Sequence, residues 1–170
     1  MISKYLKEFD SNASLLQFLE TYRDAPVVVG RETEAPRKFY AVTFAELQVP
    51  IGLVLDFHGI EPIVRRLRTS GAVLIGHDHS VTGLSLSGDV KFNVPLEGVF
   101  FEFIDCENDR VIVIHELGAI KLDSSGNCEW KVLTDIVKHF QINPPGELHL
   151  ETMDDDLRII DTFSGEEIKI

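Results

Sequence analysis

The residues Ala72-Val-Leu-Ile-Gly-His77-Asp78-His79 return thirty-eight positions later as Val111-Ile-Val-Ile-His115-Glu116. Each copy continues through a leucine and a Ser-Gly pair to an aromatic residue. The matched pairs are His77/His115, Leu84/Leu122, Ser87/Ser125, Gly88/Gly126 and Phe92/Trp130. A looser third copy runs from Leu148 through Ser164-Gly165 to Ile170. A repeat near this period is typical of stacked copies of one supersecondary unit.

The apolar and β-branched runs inside the copies predict strands separated by turns. In the first copy we expect strands over 72–76, 81–86 and 90–94, with a turn near His79-Ser80. The second copy spans 110–132 after a turn at 107–109. The third hairpin is expected to turn at 154–156 and again at 162–165. The repeats therefore predict β-meanders.

Helices are predicted at three places. Ser14 and Gln17 have capping-box spacing, and the apolar stripe of Leu15, Phe18, Leu19 and Tyr22 follows it. A second stripe predicts a helix over residues 60–71, and residues 134–140 predict a short helical connector. Residues 27–29, 39–44 and 51–57 read as strands.

The predicted fold class is α+β with mainly antiparallel β structure. N-terminal helices precede three blade-like meander repeats of about 38 residues, in an open or sandwich-like arrangement. The length favours a single domain over 1–170, divided into a helix and strand part (1–70) and the repeats (71–170).

The segment Leu122-Asp-Ser-Ser-Gly-Asn-Cys-Glu-Trp130, together with Ile160-Asp-Thr-Phe-Ser-Gly165, resembles the blades of quinoprotein-type β-propellers. Those blades close a hairpin with Leu-Asp-x-x-Thr-Gly and place an aromatic residue four positions on. The resemblance implies meanders packed through aromatic and aliphatic side chains. This chain departs from the pattern: its first two copies are one residue short in the turn, Lys169 stands where the third aromatic belongs, and a closed ring needs at least four blades. The quinone cofactor is not carried over, and no cofactor is expected.

The net charge of −12 is concentrated in the repeats. Residues 1–70 hold 9 basic and 9 acidic side chains, whereas residues 71–170 hold 7 and 19. Such a field repels nucleic acid and attracts a basic protein. No membrane association is expected, because no apolar run is long enough to cross a bilayer. The N-terminus lacks signal-peptide character and the two cysteines make no disulfide framework, so a cytoplasmic location is predicted.

A compact, acidic chain without assembled catalytic groups is similar in character to small bacterial toxin-immunity proteins. We therefore expect a non-enzymatic module that binds a basic protein, in its concrete form an immunity protein against a nuclease-type toxin. The expected partner-binding residues are acids at predicted turns: Asp78, Glu107, Asp109, Asp154, Asp155 and Asp156.

Two alternatives stay open. His77 and His79 lie at i and i+2 and would share one face of a strand, where they could hold a metal ion with His115 from the next repeat. That arrangement predicts a metal-dependent enzyme or a metal-binding domain. The other alternative is a structural β-repeat module with no ligand of its own.

Overall fold

The computed structural model describes residues 6–30, 37–43, 47–56, 58–144 and 146–169. Within these ranges it contains one α-helix, α1 (Asn12–Glu20), and one 3-10 turn (Glu107–Asp109). The strands are β1 (Leu6–Phe9), β2 (Val28–Gly30), β3 (Lys38–Val42), β4 (Ile51–Leu55), β5 (Ile63–Arg66), β6 (Val73–His77), β7 (Ser80–Leu84), β8 (Val90–Pro95), β9 (Phe100–Asp105), β10 (Val111–His115), β11 (Gly118–Leu122), β12 (Cys128–Leu133), β13 (Val137–Asn143), β14 (Glu147–Thr152) and β15 (Leu157–Asp161).

These strands form four open sheets. Sheet 1 has the order β1-β3-β4-β2, and β2 runs parallel to β4. Sheet 2 (β5–β8), sheet 3 (β9–β12) and sheet 4 (β13–β15) are antiparallel, with neighbours in sequence order. The prediction of mainly antiparallel β structure is confirmed. The expectation of several N-terminal helices is wrong for the described residues, where α1 is the one α-helix.

The sheets pack face to face because side chains alternate between the two sides of each strand. In β6, Val73 and Ile75 join the core shared with sheet 1, whereas Leu74 joins the core shared with sheet 3. In β10, Val111 and Val113 face sheet 2 and Ile112 faces sheet 4. Strands β6, β10 and β11 are buried throughout, since their sheets are covered on both sides. This explains their continuous apolar sequence.

The two ends of the stack are closed differently. On sheet 1, the buried Leu15 and Leu19 of α1 pack against Ala41. On sheet 4, the residues of β14 that point away from sheet 3 are polar and partly exposed: Glu147, His149 and Glu151. Within the described residues no other sheet covers this face, and its polar side chains suit contact with water.

Backbone hydrogen bonds join each sheet to the next at equivalent repeat positions. The Phe100 N–H donates to the Asp78 carbonyl at 2.6 Å, and the Leu96 N–H donates to His79 at 2.8 Å. One repeat later, the Val137 N–H donates to the Glu116 carbonyl at 2.8 Å, and Thr134 donates to Leu117 at 3.0 Å. The turn between the second and third strands of one sheet is thus bonded to the segment that leads into the next sheet.

The helix predicted over residues 60–71 is wrong, because this segment contains β5. Ile63 pairs with Gly76 and Arg66 with Val73 along the edge of sheet 2. The Arg65 guanidinium then forms ion pairs with Glu102 at 3.6 Å and Asp105 at 3.5 Å. The apolar spacing fits a helix, but pairing with β6 and packing on sheet 3 override that local preference.

The helical connector predicted over 134–140 is also wrong, since β13 starts at Val137 and pairs with β14. The helix α1 is confirmed, but its N-cap lies three residues before the predicted cap, Ser14. Its N-cap is Ser11, which forms a capping box with Ser14. Ser14 and Gln17 match the usual capping-box residues, whereas Ser14 takes the place of the usual Glu or Gln in the observed box.

The Ser-Gly turn of one sheet lies on the aromatic residue of the sheet before it. A Cβ atom built on Gly126 would approach the Phe92 ring to 2.5 Å, and one on Gly165 would approach Trp130 to 2.5 Å. Both glycines have a positive φ, at 82° and 77°. The repeated Ser-Gly and aromatic residues are therefore two halves of one contact between neighbouring sheets.

Replacing Gly126 with alanine should destabilise the protein through both backbone strain and overlap with Phe92. Positive φ costs a non-glycine residue about 1–2 kcal/mol, and overpacking adds about 1–3 kcal/mol. The matched control is Gly59→Ala, where φ is 89° and no atom lies within 4 Å of the added Cβ. Urea unfolding measures both; equal losses in unfolding free energy would contradict the contact with Phe92.

Candidate functional site

The three histidines of the metal hypothesis lie at separate places. His77 ends β6 on the side that faces sheet 1, in line with Val73 and Ile75. His115 ends β10 on the side that faces sheet 2. Sheet 2 therefore stands between them. The prediction that His77 and His79 share a strand face is wrong, because His79 lies in the β6–β7 turn, with its ring 4.9 Å from that of His58.

His77 and His115 are polar ends of buried strands. The His77 Nε2 atom lies 3.3 Å from the hydroxyls of Ser80 and Thr82, and the Leu117 N–H donates to His115 Nδ1 at 3.3 Å. Burial lowers the pKa of His77 to about 4 and also lowers the pKa of His115. Both imidazoles are neutral at physiological pH. Throughout the described ranges, no group of three or more His, Cys, Asp or Glu side chains is placed to hold a metal ion.

Asp109 serves as a clamp between sheets 2 and 3. Its carboxylate accepts hydrogen bonds from the Thr69 N–H at 2.9 and 3.0 Å and from the Ser70 N–H. These bonds favour the ionised form and lower the pKa of Asp109. Asp109 thus has a contact inside the protein, and its predicted contact with a partner stays a prediction.

Three more of the predicted acids have internal contacts. The Asp78 carboxylate accepts the Asp56 N–H at 2.9 Å. Asp155 is paired with Lys138, which lowers the pKa of that carboxyl, and Asp156 lies 3.5 Å from Arg158 Nε. Acids suit turns because they accept backbone N–H groups there, and this role competes with partner binding.

Glu107 and Asp154 are exposed, and neither forms an ion pair within 4 Å in the described part of the chain. They lie at opposite ends of the strands. Glu107 belongs to a turn between the first and second strands of a sheet, and Asp154 to one between the second and third. The six acids therefore do not form one surface.

Three exposed apolar side chains lie at the end of sheet 4 that carries Asp154, and no pattern of residues in the sequence predicts their exposure. Ile136, Met153 and Leu157 are 46%, 61% and 50% exposed. The Met153 N–H donates to the Ile136 carbonyl at 2.8 Å, which brings the two chain segments together. We call Ile136, Met153, Leu157, Asp135 and Asp154 the acidic-apolar surface.

A second exposed apolar group lies at the opposite end of the strands. Phe163 is 87% exposed and lies beside Ile142 on a cleft of about 660 Å³ between sheets 3 and 4. The buried Lys121 donates to the Thr162 carbonyl at 3.0 Å and lies 3.5 Å from Glu129. We call this region the Phe163 cleft. Its bases, Arg110 and Lys121, are both paired with Glu129.

No family model and no curated protein matches the chain. Similar solved structures include apo AztD from Citrobacter koseri (TM-score 0.49, 11% identity, 79% of this chain and 41% of that chain). They also include BamB from Moraxella catarrhalis (0.49, 16%, 85% and 46%) and the WD40 β-propeller domain of Doa1 (0.37, 8%, 85% and 66%).

The chain spans less than half the length of AztD and BamB. The fold is defined by its four hydrogen-bonded sheets. In the described ranges, no helix has the length and apolar character needed to cross a bilayer.

Replacing Asp109 with asparagine should lower stability at pH 7, because a neutral amide accepts the two N–H groups less strongly. The pKa of Asp109 is depressed in the folded protein, so its contribution is present above about pH 4, the ordinary Asp value. The gap between variant and wild type should shrink as the pH falls below that value. Urea midpoints at pH 7 and pH 3 measure this, with the exposed neighbour Glu107→Gln as control; equal effects of the two substitutions would contradict the clamp.

His77 should titrate near pH 4 in the folded protein. Because the unfolded chain takes up this proton at about pH 6.5, the histidine stabilises the fold fully above that pH and progressively less down to about 4. NMR of the histidine ring carbons follows this titration, with His77→Gln to assign the signal. Titration of His77 near pH 6.5 would contradict its burial between sheets 1 and 2.

Proposed function

We propose that the chain is a non-enzymatic module that binds a basic protein. The observation that carries the proposal is the charge of the repeats: 7 basic against 19 acidic side chains in residues 71–170. Several cations in this part are paired with acids, as Lys131 is with Glu97 and Lys138 with Glu151, and an excess of 12 acids (19 − 7) remains after every cation is counted. A field of this sign speeds the encounter with a cationic protein.

The concrete form of the proposal is an immunity protein that neutralises a nuclease-type bacterial toxin in the cytoplasm. A nuclease binds a polyanion and is therefore basic around its active site. An inhibitor of such an enzyme must capture it quickly, which electrostatic steering provides.

We also propose that sheets 2, 3 and 4 are three propeller-type blades in an open stack. The support is the repeated contact of a Ser-Gly turn with the preceding aromatic, at Gly126 on Phe92 and Gly165 on Trp130. In this reading the repeats are the scaffold, and their ends supply the binding surface.

Immobilised protein should capture a basic protein at near equal stoichiometry from a lysate of the source cell. Because the attraction is electrostatic, a salt gradient should release that protein at high ionic strength. A basic protein similar in size to the captured one, such as egg-white lysozyme, is the control for non-specific binding to an acidic surface. It should elute at a lower salt concentration. An empty capture, or one eluting with the control, would contradict the proposal and favour a structural module.

A further inference from the structure

We infer that the acidic-apolar surface is the docking site, and that its partner presents a segment with large apolar side chains flanked by Lys or Arg. This inference rests on the proposed function and names the surface and the kind of partner. Ile136, Met153 and Leu157 supply the apolar contact, and Asp135 and Asp154 supply the charge.

The apolar side chains stand on well-defined backbone. The turn that carries Met153 is closed by a hydrogen bond from the Thr152 N–H to the Asp156 carbonyl at 2.9 Å. Lys138 forms ion pairs with Asp155 in this turn and with Glu151 just before it. A surface that is ordered before binding loses little conformational freedom on docking.

The core between sheets 3 and 4 is filled without the side chains of these exposed residues. Their neighbours in the chain complete the core between sheets 3 and 4: Val137 is 3% exposed and Thr152 is 1% exposed. Ile136 and Met153 are brought together by the backbone hydrogen bond between them, and exposed apolar groups rimmed by polar residues mark sites of protein association.

Charge decides what kind of partner fits. The bases near the surface are occupied, because Lys138 is paired with Glu151 and Asp155, and Arg158 with Asp156 and Glu167. Asp135 and Asp154 therefore set a negative rim, which suits Lys and Arg. The same rim repels nucleic acid and anionic lipid surfaces.

The Phe163 cleft lacks this complementarity. Arg110 and Lys121 lie there with Asp105, Glu107 and Glu129, so both charge signs are present. Phe163 also interacts with the protein itself, with the Lys121 ammonium 5.5 Å from its ring. For these reasons we assign the docking site to the acidic-apolar surface and use the Phe163 cleft as the control.

The test is NMR titration of ¹⁵N-labelled protein with three synthetic amphipathic peptides of equal length. The first is built from Leu and Lys, the second has Glu in place of Lys, and the third has Ser in place of Leu. The Leu/Lys peptide should shift amides in residues 135–138 and 151–158. The other two should bind at least about tenfold more weakly, because each lacks one half of the complementarity.

Variants place the contact on particular side chains. Met153→Ser and Asp154→Lys should each weaken binding of the Leu/Lys peptide about tenfold, and Asp154→Lys should also reduce its salt dependence. Phe163→Ser and Glu107→Lys are the matched controls at the other end of the strands and should leave binding unchanged. All four residues are exposed, so circular dichroism should show the folded spectrum in every variant.

Three outcomes would overturn the inference: no binding of the Leu/Lys peptide, shifts centred on Ile142 and Phe163, or equal effects of Phe163→Ser and Met153→Ser. Failure of the proposed function looks different, because wild-type protein then captures no basic protein from lysate. If wild type captures such a protein and Met153→Ser captures it equally well, the proposed function stands and this surface is wrong.

Discussion

The structure depends on one constraint: every sheet with an apolar face must have that face covered. Sheets 2 and 3 are apolar on both sides and are therefore buried between neighbours. The stack can end only where an outer face is protected or polar. The helix α1 protects sheet 1 through Leu15 and Leu19, and the exposed side of sheet 4 carries Glu147, His149 and Glu151. The four described sheets thus cover one another's apolar faces without closing into a ring.

The contacts between sheets recur with the repeat. A turn of one sheet accepts backbone hydrogen bonds from the segment that leads to the next, and a glycine turn lies on the preceding aromatic. Asp109 adds a side-chain clamp between the turns of sheets 2 and 3. Because the polar groups of these turns bond within the protein, few of them are left to contact a partner. The acidic-apolar surface lies on sheet 4, where no other sheet of the described residues bonds to the turn around Asp154.

Much of the fold could be predicted because the repeat fixes the hairpins. The matched Ser-Gly pairs and aromatics locate the turns from local chemistry alone. The predicted helices over 60–71 and 134–140 failed because apolar spacing over a few residues fits both helix and strand. The decision there came from partners distant in sequence, such as Gly76 for Ile63 and Thr152 for Val137.

The candidate site was less predictable. Acids at turns were expected to be exposed, yet Asp78 and Asp109 accept backbone N–H groups from segments 22 and 40 residues away. Ile136 and Met153 read as ordinary apolar residues, and only packing shows that their neighbours fill the core instead. The sign of the net charge and its concentration in residues 71–170 could be predicted from the sequence, because neither depends on the three-dimensional arrangement.

Native-state hydrogen exchange tests most directly whether sheets 2, 3 and 4 unfold as one unit. The amides of Phe100 and Val137 make the bonds between sheets, and the Val113 amide lies in the centre of sheet 3. We predict that the opening free energy of all three amides equals the free energy of global unfolding. If Phe100 and Val137 exchange through a low-energy opening while Val113 stays protected, the sheets separate without unfolding. That result would contradict the prediction.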